Sequence, residues 1–351
     1  MERKWQTAKK GIFIVEKSMK KNIIFYSLCF IMICPKIIFS QISFRIYGGG
    51  GWIDCGDLNK NIQGWKNYFI DRDKSPDLFK YNVEELHGFW DGGLELSYSF
   101  SSRFQAALGL EFLTGKTKGN ATSRIWREQN YFYSATDFGT ISISEKILKK
   151  PEYRIQTIPV VLTLYYSFPL GTRWNFFLGC GGGYYSSKLT YKEGYQYNFD
   201  YKDEKIFYGS LMEFVDVYSS SGNYSEEISS KTFGFHLKTG LELEIRRGLH
   251  FIIEAFGRQA NFNDWKGDKK DSYNWTHTWG FWGIYSDKGH FEEVKKGKLW
   301  KVEFQSDDTG KSYPQLVLSE EKPLNASYYN AQQARINLNG FSLRIGIRVS
   351  L

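Results

Sequence analysis

The chain has 351 residues, of which 42% are hydrophobic and 18% aromatic, with 34 Gly against only 7 Pro. This composition favours strands and tight turns, and no long helical pattern follows the N-terminal region. The net charge is +8, but the first 40 residues hold eight Lys or Arg and two acids. The remainder, with 38 basic and 36 acidic residues, is nearly neutral, so the charge gives no support for binding to nucleic acid.

Residues 1–40 have the features of a secretory signal peptide. A short basic segment begins at Met19, the apolar run 23–34 follows it, and Ser40 is a small residue at which a peptidase could cut. The apolar run is too short for a membrane-spanning helix. We therefore predict a signal peptide over 1–40, with Met19 as an alternative translation start, and a mature domain over 41–351. An uncleaved N-terminal anchor is the alternative.

Eight segments of the mature chain alternate between apolar and polar residues with a period of two. This is the pattern of a β-strand that has one apolar face. The last segment shows it most clearly, because Leu343 and Ile345 flank Arg344 and the alternation continues to Leu351. The segments cover residues 42–50, 90–100, 104–112, 158–168, 174–184, 233–245, 250–258 and 340–351.

The connections between these segments alternate strictly between short and long. The short ones have the length of hairpin turns. The long ones are polar and rich in Lys, Asp, Asn, Ser and Tyr, and we predict that they are loops emerging on one side. The short connections are residues 101–103, 169–173 and 246–248, and the long ones are 52–89, 114–154, 187–231 and 260–338.

Two kinds of antiparallel protein fit eight alternating segments. In a soluble sandwich or lipocalin the apolar face forms the core and the charged face meets water. In an outer-membrane barrel the apolar face meets lipid, strands are about 9–11 residues long, and aromatic residues lie near their ends. Only the membrane barrel explains why every turn at one end is short and every connection at the other end is long.

The eight segments and the rhythm of their connections resemble the bacterial outer-membrane β-barrels of the small eight-stranded type, the OmpA and OmpX transmembrane fold. The resemblance implies an all-β fold, an eight-stranded antiparallel up-and-down transmembrane β-barrel with long loops on one side. It also implies an outer-membrane location with periplasmic N- and C-termini, and outer-membrane lipid and the barrel-assembly machinery as partners. The C-terminus is similar to the family's assembly signal at Arg344, Gly346, Val349 and Leu351, although family members usually end on Phe.

The polar faces of the segments carry five basic and five acidic residues and one histidine. Closing eight strands leaves an interior just wide enough for side chains, and buried ions must be paired. We therefore predict a lumen plugged by charge pairs and a structural or surface-interaction role, with a narrow small-solute channel as the alternative. The predicted lumen network is Arg45, Glu95, Glu111, His236, Lys238, Glu242, Glu244, Glu254, Arg258, Arg344 and Arg348.

Of the five histidines, His236 belongs to the predicted lumen network and His250 lies by a short turn. His87, His277 and His290 lie in predicted loops, without a serine or carboxylate at a spacing that would fix a catalytic triad. We accordingly predict no enzyme activity, no catalytic residues, no cofactor and no metal site. An outer-membrane barrel enzyme acting on lipid is the less favoured alternative.

The last long connection contains a cluster of aromatic residues. Surface aromatics among charged residues are typical of a contact patch, here for an unknown extracellular ligand or protein. A loop that packs on itself above the barrel explains the cluster equally well, and both readings stay open. The possible patch is Trp265, Tyr273, Trp275, Trp279, Phe281 and Trp282.

Overall fold

The structure, a computed structural model, describes residues 41–72, 79–132, 138–207 and 210–351. The predicted signal peptide, residues 1–40, lies outside the described residues. The described part contains one helix and fifteen strands. They are β1 Ile42–Asp54, α1 Asp57–Arg72, β2 Phe79–Tyr81, β3 Gly88–Ser99, β4 Phe104–Lys118, β5 Ala121–Phe132, β6 Phe138–Pro169, β7 Trp174–Phe207, β8 Ser210–Arg246, β9 Leu249–Phe262, β10 Lys266–Phe281, β11 Tyr285–Gln305, β12 Ser312–Ser319, β13 Tyr328–Gln333, β14 Ile336–Asn337 and β15 Asn339–Ser350.

Eight strands close into a ring of antiparallel neighbours in the order β1, β3, β4, β6, β7, β8, β9, β15 and back to β1. Each of the eight predicted segments lies in one of these strands. The last strand pairs with the first, with Val349 opposite Phe44 and Ile347 opposite Ile46. Closure leaves none of the eight without a partner on either side, which removes the exposed edges of an open sheet.

The three predicted hairpin turns are confirmed. They join β3 to β4, β6 to β7 and β8 to β9 at the end of the ring where β1 begins and β15 ends. Gly248 supplies the positive φ of 78° that the last of these turns requires.

The long connections emerge opposite the short turns, as predicted, but within the described residues they consist mostly of strands and one helix, so the prediction of loops was wrong in that part. β6, β7 and β8 continue beyond the ring, and their distal parts pair with β5 and β10, while β11 and β12 extend the sheet further. We call this extension the upper sheet, comprising residues 139–157 of β6, 187–206 of β7 and 211–231 of β8 with β2, β5, β10, β11, β12 and β13. Along the strands of the upper sheet, aromatic residues alternate with polar ones. Because few of these residues are aliphatic, the sequence resembles that of a solvated loop.

The helix α1 also contradicts the expectation that no helix follows the N-terminal region. Leu58, Ile62, Trp65 and Phe69 recur at helical spacing and form its inward stripe. The N-terminus is held by Asp57, whose carboxylate accepts the backbone N–H of Arg335 at 2.8 Å. The hydrogen bond to Arg335 and the packing of the inward stripe hold α1 between the open end of the ring and the upper sheet.

Candidate functional site: the interior of the ring

Arg344 of β15 lies at the centre of the ring interior and is 1% exposed. Its guanidinium donates to Asp91 Oδ2 at 2.6 Å and binds both carboxylate oxygens of Glu111 at 3.1 Å. The ring of Phe256 lies 3.6 Å from the guanidinium carbon. Arg258 Nη2 donates to the same Asp91 oxygen at 2.6 Å. Two arginines on neighbouring strands are therefore neutralised by two carboxylates on the opposite wall.

A second half of the interior cluster lies toward the turn end. Lys238 Nζ donates to Glu95 at 2.8 Å, and Arg45 donates to Glu254 at 2.8 Å. The Tyr165 hydroxyl accepts from Arg45 at 3.1 Å and donates to Glu95 at 2.9 Å. Lys238 also lies 3.6 Å from Glu111, which joins the two halves into one network.

The interior network is balanced in charge. Four cations, Arg45, Lys238, Arg258 and Arg344, face four carboxylates, Asp91, Glu95, Glu111 and Glu254, and all eight are buried. Removing ions from water is costly unless opposite charges and hydrogen bonds compensate, and here each ion has at least one opposite partner.

A separate ion pair lies nearer the short turns. Arg348 Nε is 2.8 Å from Glu242, and His250 Nδ1 lies 3.5 Å from the same carboxylate oxygen. Arg348 also donates to Gln105 across the interior at 3.3 Å.

The structure brings most of the predicted lumen residues together in the ring interior. Glu244 differs, because it is half-buried beside the β8–β9 turn, opposite His250, and lies outside the central cluster. His236 is buried and hydrogen-bonds Thr163 at 2.8 Å rather than an acid. Arg45, Glu95, Glu111, Lys238, Glu254, Arg258 and Arg344 form the central cluster, and Glu242 and Arg348 form the pair near the turns.

Asp91 is the central residue that the predicted set omits. It shares one face of β3 with Glu95 and is 6% exposed. Alternation alone would have found it, since positions 91 and 95 are separated by an even number of residues. If Asp91 replaces Glu244 in the predicted set, the interior contains five basic and five acidic residues.

Inward aromatic and apolar residues fill the space that the charges leave. Ile252 and Phe256 are 2% and 1% exposed and share the inner face of β9 with Glu254. The backbone of β7 approaches this packing closely, since a Cβ on Gly179 would lie 2.7 Å from the Tyr165 ring and one on Gly181 2.8 Å from His236. Glycine at these two positions lets those side chains reach the centre.

An apolar core seals the interior above the network. Ile53, Leu113, Ile155 and Phe262 continue the inward faces of four ring strands and are fully buried. Leu58 of α1 packs onto the same core. The charged layer therefore ends under packed hydrocarbon rather than under a water-filled mouth.

The residues of the possible contact patch are divided by the structure. Trp265 is 1% exposed and packs on Phe262 in the apolar core, so it is not available at a surface. Tyr273, Trp275 and Trp279 are half-buried along β10. Phe281 and Trp282 are 50% and 64% exposed at its far end.

The four residues of the proposed assembly signal lie on or next to β15. Arg344 faces inward in the network, whereas Val349 and Leu351 lie on the outer side and are 41% and 67% exposed. Gly346 stands opposite Tyr47 of β1. Recognition of this segment by the assembly machinery stays a prediction.

Within the described ranges, no helix combines the length and apolar character needed to cross a membrane. In the same part of the chain, no group of three or more His, Cys, Asp or Glu side chains could hold a metal ion. His277 Nε2 donates to Asp216 Oδ1 at 2.7 Å, and its ring stacks on Trp279. The absence of enzyme activity remains a prediction.

No protein-family model and no curated protein matches the chain. Among solved structures, the RagAB peptide importer in the open-open state is 8% identical, with 86% of this chain and 69% of that chain covered and a TM-score of 0.10. The siderophore receptor PirA from Pseudomonas aeruginosa is 7% identical, with 89% of this chain and 80% of that chain covered and a TM-score of 0.10. Likenesses at this TM-score carry no argument, so the function must be argued from the geometry of the chain itself.

Proposed function

We propose that the ring is an eight-stranded barrel that spans a bacterial outer membrane, with a closed interior and with the upper sheet projecting outward as a contact surface. The short turns, the beginning of β1 and the end of β15 would then face the periplasm. Outer-membrane lipid and the barrel-assembly machinery are the proposed partners, and an unidentified extracellular molecule is the third.

The observation that carries this proposal is the belt of exposed apolar side chains around the ring. Soluble monomers rarely expose contiguous apolar patches larger than a few hundred Å². Here the outward positions of the eight strands are apolar or glycine, with the exception of Thr239, and many of the apolar side chains are more than half exposed. Examples from the eight strands in ring order are Ile46, Leu96, Leu108, Leu162, Leu178, Leu237, Ile253 and Ile345.

The upper border of this belt runs level from strand to strand. On β6 the last outward apolar residue is Ile158 and the next outward residue is Gln156. On β8 the corresponding change occurs between Phe233, which is 80% exposed, and Lys231. The register links these sites through β7, where Ser186 pairs with both Ile158 and Lys231. A level border of this kind is expected where a bilayer meets water.

The height of the belt suits a bilayer. On β7 it runs from Trp174 to Tyr184 and on β15 from Phe341 to Leu351, and aromatic residues stand at or near both borders. Tilted strands of about 9–11 residues cross the hydrocarbon layer. The apolar outer face would thus contact lipid along its whole length.

The closed interior supports a structural or surface-interaction role over a channel. A conducting path would have to pass both the paired ions around Arg344 and the apolar core under α1. Either layer alone fills an interior that is just wide enough for side chains. A narrow small-solute channel is therefore the second candidate, and no observation favours it.

Two measurements test the proposal. Purified protein should need detergent, and its folded form should migrate faster on a gel than its boiled form; protein that stays soluble and monodisperse without detergent would contradict the membrane assignment. In planar bilayers the wild type should give no steady single-channel steps. Reproducible steps would refute the closed interior while leaving the membrane assignment intact.

A further inference from the structure

The upper sheet has one aromatic face, and it is the face that continues the ring interior. On β7 the odd-numbered residues from Tyr191 to Tyr201 lie on this side, because successive residues of a strand alternate between faces. The register places Tyr224 of β8 beside Glu193 and Asp271 of β10 beside Tyr224. Even-numbered residues of β7, such as Gln196 and Asn198, are exposed on the opposite face.

Cross-strand pairs of rings repeat along this face. Tyr191 and Tyr224 have ring centroids 5.8 Å apart, and Tyr197 and Tyr218 have centroids 5.9 Å apart. Trp275 stacks on Tyr218 with an interplanar angle of 17°. The other two pairs are Tyr195 with Tyr273 at 6.3 Å and Tyr201 with Phe214 at 6.3 Å. Apart from the Tyr218–Trp275 pair, the paired rings meet at angles of 55–72°, so both edges and faces of aromatic rings follow one another up the sheet.

We call this column of rings on β7, β8 and β10 the aromatic ladder. Its lower end lines a cleft of about 420 Å³ under α1. Trp65 and Asn61 of α1 form one wall, and Tyr153 and Leu189 form the floor. Asn61 donates its side-chain amide to the Tyr153 hydroxyl at 3.3 Å. The size falls in the range of clefts that hold small molecules, which is about 300–1,000 Å³.

The carboxylates of the cleft are already held in place by neighbouring side chains. The Tyr191 hydroxyl donates to Glu193, which also pairs with Lys149 at 3.0 Å. Asp271 accepts from the Tyr195 hydroxyl at 3.3 Å.

Glu226, the third carboxylate, accepts from the Tyr224 hydroxyl and stands opposite Lys269 in the register. Burial raises the pKa of Glu226 above its ordinary value. A carboxylate has about four lone-pair sites, so each of the three keeps acceptor capacity while its position is fixed.

We propose that the cleft and the aromatic ladder above it bind a linear, neutral oligosaccharide. The apolar faces of successive sugar rings would stack on the tyrosines, and sugar hydroxyls would donate to Glu193, Glu226 and Asp271. The proposal rests on the proposed function only for placing the site at the cell surface, because binding itself does not require the membrane.

The arrangement of rings and carboxylates favours a neutral oligosaccharide over other classes of ligand. Nucleic acid is disfavoured because three carboxylates would face its phosphates. A compact organic cation would suit a single aromatic cage, whereas the rings here repeat over several residue pairs along β7 and β8. Lys149 already supplies a cation to the cleft, 5.6 Å from the Trp65 ring and paired with Glu193.

The test is isothermal titration calorimetry with the purified full chain and three neutral probes, cellohexaose, maltohexaose and hexa-N-acetylchitohexaose. The protein is kept in an amine-oxide detergent, because the sugar headgroups of alkyl glycoside detergents would compete. At least one probe should bind, and the double variant Tyr195→Ala with Tyr197→Ala should weaken that binding by about tenfold or more. The matched control is Gln196→Ala, which lies between the two tyrosines but on the opposite face and should leave the affinity unchanged.

Three outcomes would overturn the proposal. One is no heat from any of the three probes at millimolar concentration, and another is an equal loss of affinity in Gln196→Ala. The third is binding of a hexalysine peptide at concentrations where none of the saccharides binds, which would assign the cleft to cationic peptides. Gel migration of the unboiled samples verifies that each variant is folded, so failure of binding is distinguishable from failure of the barrel assignment.

Discussion

The ring and the upper sheet are built in part from the same three strands, yet their outer faces are opposite in polarity. Along β7 the outward residues are apolar up to Tyr184, and from Ser186 onward they are polar, as at Lys192 and Gln196. The inner face of β7 changes as well. In the ring it has glycines beside buried charges, and in the upper sheet it has a column of tyrosines. In the proposed membrane arrangement, one continuous strand meets two different media, and the level at which its outer face changes polarity marks the border between them.

The same two-residue alternation along the strands therefore supports two different sources of stability, one in each region. In the ring the interior is ionic and its free energy depends on complete pairing. In the upper sheet the inner face is aromatic and the outer face is solvated, as in an ordinary soluble sheet. Substitutions should therefore differ between the two regions in how much they destabilise the protein.

The largest expected effect is at Arg344. Arg344→Met leaves Asp91 and Glu111 buried without their principal partner, and we expect the free energy of unfolding to fall by about 3–5 kcal/mol. Urea unfolding in detergent micelles, followed by tryptophan fluorescence, measures it. The counterpart is Arg154→Met on the outer face above the belt, where the exposed pair with Glu152 is 3.6 Å long and its loss should cost less than about 1 kcal/mol.

If Arg344→Met does not fold, Arg344→Lys retains one charge and should fold with a smaller loss of stability. Equal effects of the Met substitutions at 344 and 154 would show that the interior network is not a buried one.

The next effect is on the outer face. Ile345 is 62% exposed on the belt, and Ile345→Lys should destabilise the protein in lipid by about 2–4 kcal/mol, since a charge would face the hydrocarbon. Gln196→Lys, also outward but above the border, should change stability by less than about 0.5 kcal/mol. The comparison is made by refolding both variants into phosphatidylcholine vesicles, and a tolerated lysine at 345 would contradict a lipid-facing belt.

A smaller effect concerns pH and Glu226 in the upper sheet. Because burial raises the pKa of this carboxyl above 4.5, the folded protein binds its proton more tightly than the unfolded chain does. Its contribution to stability is therefore present at low pH and is lost as pH rises from the unfolded pKa through the folded one. Glu226→Gln should flatten this part of the pH profile of the unfolding free energy, and an unchanged profile would contradict the prediction.

The smallest effect is expected at the exposed end of α1. Lys311 lies 2.8 Å from Asp71 and is 62% exposed, so Lys311→Ala should lower the free energy of unfolding only slightly, and less at high salt. Urea unfolding at low and at high salt measures it. A loss of several kcal/mol would mean that this contact holds the helix in place to a degree that an exposed pair does not account for.

The ring was predictable because its strands alternate between aliphatic and polar residues, and because short turns fix which strands are neighbours. Pairing of β15 with β1 followed from the same pattern, and so did the inward placement of Arg45, Glu95 and Arg344. These features are local in sequence, or they follow from closing the ring.

The upper sheet and the details of the interior were not predicted, for physical reasons. Tyrosine alternating with Ser, Lys and Asn resembles a solvated loop until its cross-strand partners are known, and those partners are distant in sequence. Ile252 and Phe256 interrupt the alternation of β9, because they are apolar residues on its otherwise polar face. In the structure they point inward and pack against the ions. The helical spacing of Leu58 and Ile62 was present in the sequence but was concealed by the polar residues around it.

A fluorescent label on Cys180 can determine whether the outer face of the ring contacts lipid. This residue is exposed on the outer face in the middle of the β7 belt. With the other cysteines replaced by alanine, a bimane label on Cys180 should be quenched strongly by brominated lipids in vesicles. The matched label on Gln196→Cys, in a Cys180→Ala background, should be quenched by iodide in water instead. Quenching of the Cys180 label by iodide and not by brominated lipid would contradict the account.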